Sequence, residues 1–124
     1  MSKNLRPTNS KGEQHGLYEE YYDNGKLENK FNYINGQPHG IWEEYYDNGQ
    51  LENKCNFING ERDGLYESYW FNGQLSFKGN YLNGKQHGLF ESYYEDGELD
   101  YKFNYIHGVK TDYIEPNKDL FPIY

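Results

Sequence analysis

The chain has 124 residues, a formal net charge of −8 and a sequence pI near 4.9. That length suits one domain, and the acidity argues against nucleic acid or an anionic membrane leaflet as partner, since both call for basic patches. Hydrophobic residues make up only 35% and mean hydropathy is −1.18, which excludes a long apolar span, but aromatics reach 19% with 15 tyrosines, so ring stacking must replace an aliphatic core.

The opening MSKNLRPTNSKG has no apolar segment of the kind a secretory signal carries, so a cytoplasmic location is expected. A single cysteine excludes an intrachain disulfide. Residues 1–11 are polar and are expected to be poorly ordered at their start. Gly12-Glu-Gln-His15 matches the last four positions of the repeat that follows, so residues 1–15 read as a lead-in with a partial repeat.

From Gly16 the chain writes GLYEEYYDNGKLENKFNYINGQPH, then writes it three more times from Gly40, Gly64 and Gly88. The repeats are 16–39, 40–63, 64–87 and 88–111, a period of 24 residues. Two turn signals recur in each unit. The first is Asn24-Gly25, Asn48-Gly49, Asn72-Gly73 and Asp96-Gly97; the second is Asn35-Gly36, Asn59-Gly60, Asn83-Gly84 and His107-Gly108. Asn-Gly suits a two-residue hairpin loop, whose central residues both need positive φ. Between the turns, Tyr, Trp, Phe, Ile and Leu alternate with polar residues, which signals strands. A loop at Asn24-Gly25 predicts Asp23 opposite Lys26, Tyr22 opposite Leu27, Tyr21 opposite Glu28, Glu20 opposite Asn29, Glu19 opposite Lys30 and Tyr18 opposite Phe31. Equivalent Glu–Lys pairs recur in every copy, and facing opposite charges favour that register.

The fold expected is therefore all-β, an elongated single-layer antiparallel meander of about four hairpin repeats in which each unit packs on its neighbours. Eight strands at roughly 4.8 Å give a sheet about 35–40 Å long. One face should carry Tyr18, Tyr22, Leu27, Phe31 and Tyr33; the other should mix Leu17, Tyr21 and Ile34 with Glu19, Glu28 and Lys30. After Lys110, Tyr113 and Ile114 could start a ninth strand that Pro116 stops. Residues 112–124 are expected to form a C-terminal cap over the last strand edge, or a tail that docks on a partner.

The unit resembles the MORN repeat, in particular the bacterial variant of YwqK-type antitoxins. The resemblance rests on "G-Φ-Y-E-x-Y-Y-x-N-G-x-L" followed by "K-x-x-Y-x-N-G-x-x-x-G" and covers residues 16–111. It implies a run of antiparallel hairpins in a twisted sheet. It implies binding as the function: modules for protein or lipid, and for YwqK-type members an antitoxin role in polymorphic toxin systems. It brings no catalytic residues. This chain departs from lipid-binding members in its acidity, which favours a basic protein partner drawn in by charge.

Candidate residues follow from this frame. His15, His39 and His87, with Asp63 in the remaining unit, precede the unit-opening glycines. Equivalent positions lie about 9.6 Å apart, too far to share a zinc ion whose ligands sit about 2 Å away, so a turn-stabilising role is expected and no metal or other cofactor. Cys55 stands where Phe31, Gly79 and Phe103 stand and reads as a small buried hydrophobe. Glu19, Glu43, Glu67 and Glu91 form an acidic row. Paired carboxylates can hydrolyse glycosides, but each of these faces a lysine and all four copies are alike, so a solvated ion-pair row is the reading. The third copy departs most from the repeat. Trp70, Phe71 and Phe77, with Trp42, are the candidate protein-binding residues, because aromatics are enriched at interface hot spots. The function expected is a non-enzymatic, monomeric protein-interaction module, antitoxin- or inhibitor-like, for a basic protein. The alternative is a module that binds glycan or choline-like cations on its aromatic face.

Overall fold

The computed structural model describes residues 4–114, which form one antiparallel sheet without a helix. The strands are β1 (Gly16–Tyr21), β2 (Leu27–Ile34), β3 (Gln37–Pro38), β4 (Gly40–Tyr45), β5 (Leu51–Ile58), β6 (Glu61–Arg62), β7 (Gly64–Tyr69), β8 (Leu75–Leu82), β9 (Lys85–Gln86), β10 (Gly88–Tyr93), β11 (Leu99–Ile106) and β12 (Val109–Ile114). The sheet runs β1-β2-β4-β5-β7-β8-β10-β11-β12, with the short β3, β6 and β9 beside β2, β5 and β8. The all-β meander of hairpin repeats is thus what the sequence folds into. The expected ninth strand is β12, which begins earlier than Tyr113. The expected cap around Pro116 lies outside the described residues.

The short strands have a physical cause. Tyr33 pairs with Pro38 and Lys30 with Glu43, so three steps along β2 match five along its neighbour. The surplus is absorbed at His39 and Gly40, where Gly40 adopts φ 90°. β3 and β4 are therefore one strand interrupted at a left-handed residue, a conformation only glycine takes without strain. The unit-opening glycine makes this kink.

The two turns differ. At Asn35-Gly36 both residues have positive φ, 48° and 86°, as a two-residue loop requires. At the first turn only Gly25 does. Gly25 N–H donates to Tyr22 C=O and Tyr22 N–H to Lys26 C=O, both at 2.9 Å, which makes a three-residue loop closed by a glycine bulge. The expected register is corrected here: Tyr21, not Tyr22, pairs with Leu27, and the slip between Glu20 and Tyr21 leaves Glu28 as the extra residue. Leu27 thereby shares the face of Tyr21 rather than that of Tyr18. Asn24 earns its place by hydrogen bonding, since its Oδ1 accepts Lys26 N–H at 2.9 Å. Beyond the bulge the expected pairs form: Glu19 with Lys30, Tyr18 with Phe31, and their counterparts in every repeat.

The lead-in is also more structured than its composition suggests. Leu5 exchanges both backbone hydrogen bonds with Glu19, at 2.8 and 3.1 Å, and the Tyr18 hydroxyl donates to Pro7 C=O at 2.8 Å. Residues 4–7 thus run along β1 and cover its edge, and the chain from Thr8 to Gln14 turns back to pair with itself. Gln14 C=O accepts Gly36 N–H, the bond that Pro38 C=O makes with Gly60 N–H in the next unit.

The core lies on one face. Tyr18, Phe31, Cys55 and Phe90 are its buried members, and Phe90 is only 1% exposed. Ring contacts run Tyr18–Phe31 at 5.6 Å, Phe31–Trp42 at 4.1 Å with the ring planes nearly parallel, and Trp42–Phe57 at 5.4 Å. They resume at Tyr66–Phe77 and continue through Phe77–Phe90 and Phe90–Tyr105.

Candidate functional site

Three hydrogen-bond ladders hold each repeat at a fixed offset from the next. Along one edge, Tyr22 and Tyr46 hydroxyls donate to the carbonyls of Tyr45 and Tyr69 at 2.6 Å, and Trp70 Nε1 donates to Tyr93 C=O at 3.1 Å. Beside them, Asn24, Asn48 and Asn72 side-chain amides donate to the carbonyls of Asp47, Phe71 and Glu95 at 3.1 Å. On the opposite edge, His15, His39 and His87 accept the backbone N–H of Asn35, Asn59 and His107 through Nδ1, and Asp63 accepts that of Asn83. Those histidines bind turns, as their position suggested. Among the described residues no group of three side chains is arranged to hold a metal ion.

The mixed face repeats the same surface four times. The expected acidic row is in fact interleaved with lysine. Because Lys30 also neighbours Glu43, Lys54 neighbours Glu67 and Lys78 neighbours Glu91, the row reads Glu19, Lys30, Glu43, Lys54, Glu67, Lys78, Glu91, Lys102. Of the facing pairs, Glu91–Lys102 closes to 3.2 Å. The glutamates also accept tyrosine hydroxyls, as Glu19 does from Tyr21 at 3.0 Å. Burial, followed by the contact with Glu43, raises the Tyr45 phenol above its ordinary value, and Tyr69 and Tyr93 are raised by burial and by Glu67 and Glu91. Flanking this row are aliphatic side chains left in water: Leu17, Ile41, Leu65 and Leu89 along one line, Ile34, Ile58, Leu82 and Ile106 along another. A depression of about 330 Å³ lies between Ile41 and Leu65, bordered by Lys54 and Glu67.

The four candidate aromatics do not form one patch. Trp42 is stacked on Phe31 in the core face. Phe77 lies on that face against Tyr66 and Phe90. Trp70 sits at the turn edge as a ladder donor, doing with its indole what Tyr22 and Tyr46 do with hydroxyls. Phe71 is 52% exposed beside it and meets Tyr46 edge-on at 5.2 Å.

One place on the core face breaks the repeat. Where the ring contacts stop between Phe57 and Tyr66, the Arg62 guanidinium bridges, 6.0 Å from the Phe57 ring, 5.2 Å from Tyr66 and 5.6 Å from Tyr81. Together with Trp42, Glu44, Asn53, Cys55, Phe57 and Tyr66 it lines a cavity of about 260 Å³. The cavity exists because cysteine is smaller than the phenylalanine at Phe31 and Phe103. Burial pushes the Cys55 thiol up, with Arg62 pulling the other way. The sequence reading passed over Arg62, Glu44 and Asn53. The signal for Arg62 was present, since its counterparts are Pro38, Gln86 and Lys110.

No curated protein matches the chain. Among solved structures, a mutant of S. aureus TarM in complex with Fondaparinux, alpha-GlcNAc-glycerol and UDP is 9% identical over 89% of this chain and 21% of its own, with a TM-score of 0.48. A second structure of TarM is 8% identical over 93% and 21%, with a TM-score of 0.49. This chain thus spans about a fifth of the length of those proteins. The model of the MORN repeat variant matches four segments, 14–35, 38–59, 62–83 and 86–107, each opening two residues before the unit-opening glycine. With those segments covering most of the chain, it belongs to the MORN repeat variant family.

Proposed function

We propose that the chain is a non-enzymatic, monomeric module that binds a basic protein through its mixed face, in the manner of an antitoxin or inhibitor, in the cytoplasm. MORN repeats are generally protein- or membrane-interaction modules. Among the described residues no helix is long and apolar enough to cross a membrane. The observation that carries the reading is the mixed face itself. It presents aliphatic side chains 39–50% exposed in two lines across four repeats, with the Ile41–Leu65 depression between charged neighbours. Contiguous exposed apolar surface rimmed by polar groups marks interaction sites. The net charge of −8 supplies attraction for a basic partner and disfavours nucleic acid and anionic lipid. Phe71 extends exposed apolar surface to the turn edge.

The test is affinity capture from source cells at low and high salt, with the wild type and with Leu65→Lys. The reading expects one basic protein, lost at high salt and lost with Leu65→Lys. Co-production should then relieve any toxicity of that protein. Capture that is indifferent to both changes overturns it. The alternative ligand, a glycan or choline-like cation on the aromatic face, meets an obstacle at Phe57, Tyr66 and Tyr81, where Arg62 already supplies the cation. Retention on a choline or glycan column would favour it.

A further inference from the structure

Two opposite charges line the cavity over Cys55 without pairing with each other. Arg62 is one lining residue and lies among rings. Glu44 is another, and its Oε1 accepts the side-chain amide of Asn53, which also lines the cavity, at 2.8 Å. Among the described residues neither is in an ion pair. We propose that this cavity is a binding site for a small zwitterion with an apolar side chain, of the α-amino acid kind. The ligand carboxylate meets Arg62, its ammonium meets Glu44, and its side chain lies against Trp42 and Phe57.

The repeat provides an internal control. At the first junction Phe31 fills the equivalent space and Trp42 stacks on it. At the third, the Phe90 ring occupies the space left by Gly79. In the last unit Phe103 is present and Lys110, the counterpart of Arg62, lies over it at 3.9 Å. At the second junction alone, a missing phenylalanine and an introduced arginine coincide. The polar lining is specialised too. Asn29 has a glutamate on each side, Glu20 and Glu44, whereas Asn53 has Glu44 on one side and Ser68 on the other. Ser68 and the Tyr66 hydroxyl both donate to Asn53 Oδ1. That fixes the amide so that its nitrogen faces Glu44 and orients the carboxylate.

The chemistry selects the ligand class. Hydrogen bonds between ions are about twice as strong as neutral ones. A ligand with one charge engages one of the two groups and forgoes the charge-assisted contact with the other. A lone cation is repelled by Arg62 among the rings. Drug-sized sites run from roughly 300 to 1,000 Å³, so a cavity of about 260 Å³ suits a molecule of amino acid size.

The test uses tryptophan emission. The chain has 2 tryptophans, and Trp70→Tyr restores the residue found at Tyr22 and Tyr46, so Trp42 becomes the sole reporter. L-phenylalanine should give a saturable change. Phenylalaninamide, without the carboxylate, and phenylpropionate, without the ammonium, should each bind about tenfold more weakly or worse, the loss of one charge-assisted contact. Arg62→Gln and Glu44→Gln should weaken phenylalanine by a similar factor. Glutamine already serves at Gln86, so the first should leave the fold intact. Cys55→Phe should abolish binding with melting temperature retained, because phenylalanine already occupies that position at Phe31 and Phe103. Amide shifts at Asn53 and Cys55 on adding L-phenylalanine give a second readout. No saturable response to L-phenylalanine or L-leucine by either method overturns the proposal. So does equal affinity for the singly charged analogues, or indifference to Arg62→Gln or Cys55→Phe.

Discussion

Cys55 and Gly79 occupy the same position in successive repeats, and both lack the phenylalanine found at Phe31 and Phe103. Their surroundings differ sharply. Over Gly79 the ring of Phe90 descends so far that a Cβ there would lie 2.3 Å from it, and Phe90 is left only 1% exposed. Over Cys55 the corresponding residue is Tyr66, and it does not descend. Its hydroxyl reaches 3.4 Å from Asn53 Oδ1 and its ring lies beneath the Arg62 guanidinium. A buried tyrosine needs a partner for its hydroxyl, while phenylalanine does not. Two differences therefore separate a filled junction from a hollow one: Cys55 carries the Cβ for which the descending ring leaves no room at Gly79, and Tyr66 carries a hydroxyl that Phe90 lacks. In this sheet the core at each position is decided by the pair of residues on neighbouring strands, not by either alone.

The largest break in that comparison is Phe90→Ala. It empties the filled junction and should cost about 3–5 kcal/mol in urea unfolding. Gly79→Ala should come next, at about 1–3 kcal/mol, because the added methyl group meets the ring rather than a flexible chain end. In a double-mutant cycle with Phe90→Ala most of that second cost should vanish, whereas additive costs would show that the ring and the glycine are not coupled. At the turn edges, Asn48→Asp should cost about 1 kcal/mol by removing the donor to Phe71 C=O. Asp96 already stands at this position in the fourth unit, where its Oδ1 keeps the bond to Glu98 N–H. Trp70→Tyr should change stability by less than about 0.5 kcal/mol, since the ladder hydrogen bond survives.

The smallest effect is electrostatic and touches both junctions. Tyr45, Tyr69 and Tyr93 have phenols raised above the ordinary 10.0, first by burial and then by Glu43, Glu67 and Glu91. A phenol raised on folding favours the native state below its unfolded value and gives up that contribution as pH rises through the folded one. Stability should thus hold below about pH 10 and decline above it. Absorbance titration should show a late class of phenols, reduced when Glu43, Glu67 and Glu91 are replaced by glutamine.

Much of this was legible because a repeat states each instruction four times. The Glu19–Lys30 and Tyr18–Phe31 pairs could be read from alternation and charge. The ladder histidines could be placed because their spacing forbade a shared metal. The first turn was misread for a local reason. Asn-Gly satisfies two loop geometries, and what the loops of all four units share is the side-chain oxygen of Asn24, Asn48, Asn72 or Asp96 accepting the backbone N–H two residues on. The acidic row was incomplete for a related reason, since hairpin pairing is local but the β2–β4 pairing that interleaves the lysines is not. Order in residues 4–11 was hidden because it comes from backbone bonds, to β1 and within the lead-in, and not from composition.

The sequence by itself determined the class of fold, the number and period of the repeats, the strand alternation and the register away from the first turn. Each of these follows from interactions within one unit, and near-identical units repeat them. Only the tertiary structure decided which gaps in the repeat are filled. Gly79 and Cys55 look like equivalent losses on the page. Whether Phe90 or Tyr66 covers them, and whether Arg62 reaches Phe57, Tyr66 and Tyr81, depends on contacts between units. The physical reason is that backbone conformation is set by neighbours along the chain, while cavity shape is set by side chains that meet only after the sheet has formed.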